Sequence, residues 1–483
     1  MNTLNVSVPV RPRSLRSAWV ALIGLSAIFL FEMLDNSILN VALPTIGREL
    51  RASATTLQWV TGAYTVVFGG LMLAFGAIAD RFGRRHIMLV GLGLLGLASL
   101  ATLFVTTPTQ LIAVRAMMGV AAAMTTPGSM ALAFRLFDED ALRVSATTLI
   151  SMVGLVGLAI GPTVGGFVLA VAPWQVLLLV NAPIAVAAII GIRFGIPADN
   201  PDELHRDPID VTGAALGTLV IVATLVTPTV FVDEGPHSWM PWTSLAAAAV
   251  AASAFIVRER IARHPLIDLG LIARPLVSSG LLFKMASGLA VAGMGYLVTL
   301  QLQLNWGWTP GFAALGMMPQ VVVLAAGGAL IRPLMDRIGL TKMGWLSAAC
   351  VVVGLAVYGL AGNLGYPWVA VSLALVAAGM RVVGVVSGIN VMRGLPQDRT
   401  SIGAALTDTA SQVASGIGLV VAGTTVAALF TGSISNVPWA AAGHVEFEHA
   451  LTIACMVLVV IAAVLVACGF VRARHVQESK TAQ

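Results

Sequence analysis

The stretch Gly76-Ala-Ile-Ala-Asp80-Arg81-Phe-Gly83-Arg84-Arg85 decides how this chain is read. It sits between two apolar runs, about Leu57 to Ala79 and Ile87 to Val105. At ~1.5 Å per helical residue, each run is long enough to cross a hydrocarbon core of ~30 Å. The stretch is therefore a tight basic hairpin between two membrane helices. Gly76 is expected to let a neighbouring helix approach closely, and Gly83 to make the turn. Asp80 stands where a helix leaves the membrane, placed to hold a neighbouring helix N-terminus or an arginine. Arg81, Arg84 and Arg85 mark the cytoplasmic side.

The pattern returns as Asp336-Arg337-Ile-Gly339, 256 residues later (336 − 80), without the trailing arginines. Arg143-Val-Ser145 and Arg399-Thr-Ser401 are separated by the same 256 (399 − 143). Two short matches with one offset argue for duplicated halves. Six helices with their loops need roughly 180 residues at ~20 per span. The longer offset leaves room for two further helices between the halves.

Composition sets the class. Of 483 residues, 58% are hydrophobic and 10% charged, and the mean hydropathy is +0.92. These values exclude a soluble globular domain and imply an all-α polytopic membrane protein. No cleavable signal peptide is expected, because the first apolar run (about Ala18 to Leu43) is too long and carries charges. Cys350, Cys455 and Cys468 read as small hydrophobes, and the seven histidines show no ligand spacing, so no metal or other cofactor is expected. Gly91-x-Gly93-x-x-Gly96 follows no strand and lies within a membrane helix, where it serves packing. No phosphate-binding Gly-x-x-x-x-Gly-Lys-Ser/Thr loop, metalloprotease His-Glu-x-x-His or hydrolase Gly-x-Ser-x-Gly elbow occurs. ATP is then not the direct energy source, and the chain is not an enzyme.

Apolar runs predict about fourteen helices. A tail (1–17) precedes a six-helix unit (18–195), two inserted helices lie within 209–257, a second six-helix unit spans 276–470, and a tail (471–483) ends the chain. The run at 241–257 is the shortest. Lys and Arg cluster in both tails and in every second loop, so the tails are expected to be cytoplasmic. This placement accounts for the net charge of +5 without a nucleic-acid partner.

Charged residues inside the spans are costly and point to function. In the first helix Glu32, Asn36 and Asn40 share one face, and Asp35 lies beside Glu32. Asp35 is the leading candidate for taking up and releasing a proton, Glu32 the second, and Arg115 the candidate partner. A purely structural ion pair is the alternative. Asp408 could take a proton or bind a cation, or simply sit at its helix end. Lys284 is expected to snorkel to the cytoplasmic surface. Arg381 lies deeper and could ion-pair or bind an anionic substrate group. Gly157, Gly161, Pro162, Gly165 and Gly166 predict a flat, bent packing face. Tyr64, Phe68, Met72, Met118 and Met124 are candidates to line an apolar cavity.

Several of these stretches resemble the major facilitator superfamily. Gly76 to Arg85 is similar to its TM2–TM3 loop motif and Arg115-x-x-x-Gly119 to its TM4 motif. Gly157-x-x-x-Gly161-Pro162-x-x-Gly165-Gly166 is similar to the TM5 motif of its proton-coupled antiporters. Leu34-Asp35-Asn36-Ser37-Ile38-Leu39-Asn40-Val41-Ala42-Leu43-Pro44 and Asp210-x-x-Gly213 are similar to signatures of its fourteen-helix drug:proton antiporters. The resemblance implies a major facilitator fold and a secondary transporter in a bacterial inner membrane. It implies alternating access, with the loop motif latching the cytoplasmic side in the outward-facing state. It also implies export of lipophilic, cationic or neutral, drugs or antibiotics in exchange for protons, by a monomer. Glu32 is not a usual part of the TM1 signature. Gln58-Trp59 is not followed by the carboxylate found in members with dicationic substrates. A narrow exporter of one endogenous metabolite is the alternative reading, and a non-transporting sensor or scaffold is a third.

Overall fold

The computed structural model describes residues 14–137, 139–199, 210–235, 237–263, 265, 268–395, 400–430 and 441–481. The N-tail up to residue 13, linker residues 200–209, Arg399, and the side chains of Asn36, Asp336 and Ser401 lie outside the described residues. Among the described residues every regular element is helical.

The first six long helices are α1 (Trp19–Glu49), α2 (Ala54–Phe82), α3 (Arg84–Ala101), α4 (Pro108–Arg135), α5 (Asp140–Val171) and α6 (Gln175–Gly195). Two more follow, α7 (Val211–Glu234) and α8 (Trp239–Ile261). The last six are α9 (Pro275–Leu300), α10 (Pro310–Gly316, continued by Met318–Ile338), α11 (Leu340–Ala361), α12 (Tyr366–Gly394), α13 (Thr400–Leu429) and α14 (Ala441–Thr481). Among the described residues thirteen stretches are long and apolar enough to cross a membrane as single helices; α2 makes a fourteenth if its two parts, Thr56–Met72 and Ala74–Phe82, bent by 51°, count as one span. The helix α8 has 23 residues, longer than its apolar run, because Ser238 caps its first turn and Arg258 and Arg260 extend its last.

The duplicated motif has a structural counterpart. In the first half α1 packs on α4, α5 and α6, α4 on α2 and α3, and α3 on α6. The second half repeats this pattern: α9 packs on α12, α13 and α14, α12 on α10 and α11, and α11 on α14. Gly83 and Gly339, the matching turn glycines, both adopt positive φ, 99° and 79°. The two bundles meet along two seams, α2 on α13 and α5 on α10.

The inserted pair covers one seam. Thr218 Oγ1 on α7 donates to the Gly70 carbonyl of α2 at 2.7 Å. Leu225 of α7 packs with Val66 of α2 and Val420 of α13. Asp210 caps α7 by accepting from the Gly213 N–H at 3.0 Å, and it takes the Arg258 guanidinium of α8 through Nε and Nη2. That guanidinium is the main reason the Asp210 carboxyl is held below its usual range.

Candidate functional site

The helix α1 buries two carboxylates less than one turn apart and gives them different partners. Asp35 Oδ2 accepts from Arg115 Nη1 at 2.6 Å, and its Oδ1 accepts from Asn181 Nδ2 at 2.8 Å. Arg115 Nε also donates to the Val60 carbonyl at 3.3 Å, and its guanidinium lies 4.6 Å from the Tyr64 ring centroid. Both ionic side chains are at most 1% exposed. This cluster ties α1, α2, α4 and α6 together within one bundle, and removing either charge would leave the other buried and uncompensated.

Glu32 is placed between the bundles. Its Oε2 accepts from Thr126 Oγ1 of α4 at 3.2 Å, and its Oε1 accepts from Gln412 Nε2 of α13 at 2.6 Å. It lines a cavity of about 370 Å³ together with Met72, Lys284, Arg381 and Asp408. A neighbouring cavity of about 160 Å³ is lined by Asn40, Thr61, Arg115, Pro162 and Gln320. The two share Met33, Met380, Ser411 and Gln412, so they form one central space walled by both bundles.

Several expectations are corrected here. Lys284 is half-buried and lines the cavity. Of the five candidate lining residues only Met72 borders this central space. Tyr64, Phe68 and Met118 are fully buried in the first bundle's core, and Met124 packs against Ile87 of α3. The cause is close packing of α2 on α4, where a Cβ on Gly119 would stand 2.6 Å from the Tyr64 carbonyl. Gly76 has open space where a Cβ would sit, so no helix approaches it closely in this conformation.

The hairpin is braced locally. Arg84 Nε donates to Asp80 Oδ1 at 2.6 Å, and exposed Arg81 lies over the Phe82 ring. Arg85 donates to the carbonyls of Ile192 and Arg193 at the end of α6, while Asp199 accepts from the backbone N–H groups of Arg85 and His86 at the start of α3. In the second copy Arg337 is exposed. The α5 glycines make the close face expected of them. Cβ atoms at Gly157 and Gly161 would press on α1, one at Gly165 would just touch Ile38, and one at Gly166 would meet Pro310 and Gly311 of α10.

Thr126, Asn181, Asp199 and Gln412 escaped the reading of the sequence. Only Gln412 carried a signal, since it follows Asp408 by four residues and shares its helix face.

The chain is similar to known proteins over most of its length. Residues 25–419 match the Major Facilitator Superfamily. The methyl viologen resistance protein SmvA of Salmonella typhimurium is 28% identical over 422 residues, 86% of this chain and 84% of that protein. The multidrug efflux pump LfrA of Mycolicibacterium smegmatis is 27% identical over 440 residues, 90% of this chain and 86% of that one. The fold is similar to that of a bacterial homologue of the human lysosomal transporter Spinster, solved inward-facing and unoccupied, with a TM-score of 0.67, 16% identity and coverage of 95% and 97%. With the fold, the duplicated packing and a family match across both halves, this chain belongs to the major facilitator superfamily.

Proposed function

We propose that this chain is a proton-coupled exporter of lipophilic drugs or antibiotics, working by alternating access as a monomer in a bacterial inner membrane. The observation that carries this reading is Glu32, a buried carboxylate bonded by Thr126 from its own bundle and Gln412 from the other. A carboxylate accepts at both oxygens; once protonated it must donate at one of them. Proton uptake therefore changes a bond that spans the bundles, which is what biasing a rocking equilibrium requires. Asp35, with Arg115 and Asn181, sets the position of α1 beneath it.

Residues 18–195 and 276–470 are read as the rocking units, with 209–257 as the inserted pair and the tails 1–17 and 471–483 on the cytoplasmic side. The basic end is then cytoplasmic. At the opposite end Gln303 Nε2 of the second half donates to the Val41 carbonyl of α1 at 2.9 Å, and Gly166 abuts Pro310. At the basic end Asp80 is bonded inside its own hairpin. The state described is inward-facing on this reading. The name of one relative, a multidrug efflux pump, supports a drug cargo. The absence of an acid after Gln58-Trp59 favours neutral or monocationic compounds.

The driving force suffices. One proton entering through ~100 mV releases about 2.3 kcal/mol, which sustains a gradient of roughly fifty-fold for a neutral cargo at ~1.4 kcal/mol per decade. The deciding experiment is efflux from proteoliposomes under an imposed pH gradient. Wild type is expected to export a lipophilic cation only with the gradient, and Glu32→Gln to lose that dependence. No flux across a broad panel would leave a narrow exporter or a non-transporting protein as the better reading.

A further inference from the structure

The cavity around Glu32 holds more charge than proton coupling needs. Asp408 of α13, Lys284 of α9 and Arg381 of α12 line it as well. Lys284 lines the same cavity as both carboxylates, Glu32 and Asp408. Arg381 is left over. It stands near the middle of α12, where a cation is costly unless it is used. It has no ion pair or hydrogen bond among the described residues, and its Nε is buried without a partner. Gly384, one turn further along α12 and also lining the cavity, has nothing within 4 Å of where a Cβ would be. Arg381 thus keeps unused donors in a cavity that has free space along the same helix.

We propose that Arg381 is an anion subsite, and that the preferred cargo is a zwitterionic amphiphile. Its carboxylate would take the guanidinium in bidentate fashion. Its basic nitrogen would go to Glu32, in competition with the proton. Its apolar body would lie against Phe29, Met33, Leu324 and Met380, which line the same space. The inference rests on the exporter reading above and adds the class of cargo. It keeps antiport intact, since the cationic nitrogen and the proton contend for one carboxylate while the arginine charge stays fixed.

The test compares, at pH 6, Nε-dansyl-lysine, a zwitterion, with its methyl ester, which is a cation at that pH and carries the same fluorophore. Binding to the purified full-length protein is read by dansyl fluorescence. Wild type is expected to bind the zwitterion at least ~tenfold more tightly than the ester, a difference of about 1.4 kcal/mol. Arg381→Gln is expected to abolish that difference by weakening the zwitterion without weakening the ester, and Arg381→Lys to restore part of it. Should Arg381→Gln fail to fold, Gly384→Leu, which fills free space in the same cavity, should give the same loss of discrimination. Equal wild-type affinities, no zwitterion binding, or a parallel loss of both ligands in Arg381→Gln would overturn the subsite. Gradient-driven flux of the ester in proteoliposomes reports separately on export. If it persists without zwitterion preference, only the subsite falls; if neither compound moves, the exporter reading falls first.

Discussion

Gln412 on α13 donates a 2.6 Å hydrogen bond to Glu32 on α1 and so joins one six-helix bundle to the other inside the central cavity. The neighbouring Asp35 is bonded, among the described residues, within its own bundle, to Arg115 and Asn181. Two acids less than a turn apart are thereby separated into a carboxylate bonded across the bundles and one bonded to its own.

The first prediction concerns coupling. Cargo affinity of wild type should weaken as pH falls, because a proton on Glu32 displaces a cationic group. Glu32→Gln should bind cargo with an affinity that does not change with pH and should lose at least ~tenfold in gradient-driven efflux, about 1.4 kcal/mol of coupling. Ligand titrations at several pH values decide this; a variant that keeps the wild-type pH slope would move the proton site to Asp408 or Asp35.

The second concerns the buried pair. Arg115→Met should cost about 3–5 kcal/mol of stability by stranding Asp35. Asp35→Asn combined with Arg115→Met should recover much of that loss, since neither charge then remains buried. Reversible unfolding in mixed micelles measures both, and additive losses would argue against direct coupling of the two residues.

The third concerns the end opposite the basic hairpin. A Cβ on Gly166 would stand 2.6 Å from the Pro310 carbonyl and 2.7 Å from Gly311 Cα, with backbone on both sides. Gly166→Leu should pry α5 from α10 and raise maleimide labelling of Asn40→Cys from that side. Gly76→Ala, into open space, should leave this conformation undisturbed. Unchanged labelling in Gly166→Leu would count against that contact as a closed gate.

The fourth concerns the inserted helices. The Asp210 carboxyl is held low, chiefly by the Arg258 guanidinium. Its contribution to stability is therefore complete above the titration of an unfolded aspartate and is lost as pH falls through its lowered folded value. Asp210→Asn should be less stable than wild type near pH 7, with the gap closing on acidification. Thermal denaturation of both proteins across that range tests the sign; a gap that widens toward acid would refute it.

The sequence by itself determined what depends on run length and local chemistry. Apolar runs give the fourteen spans, the Gly83 and Gly339 turns give the duplication, and glycine spacing in α5 gives a close-packing face. Asp35 and Arg115 could be suspected as partners because buried charges need opposites. Tertiary structure alone decided which side of each helix meets the cavity. In a bilayer the lipid-facing and core-facing sides are both apolar, so helices such as α4 and α12 carry almost no amphipathic signal. That is why Tyr64, Phe68 and Met118 could pass as cavity lining and turn out to be core, and why Thr126, Asn181 and Gln412 went unmarked. Neutral polar residues acquire a role only when a helix from elsewhere in the chain brings a carboxylate within hydrogen-bonding reach.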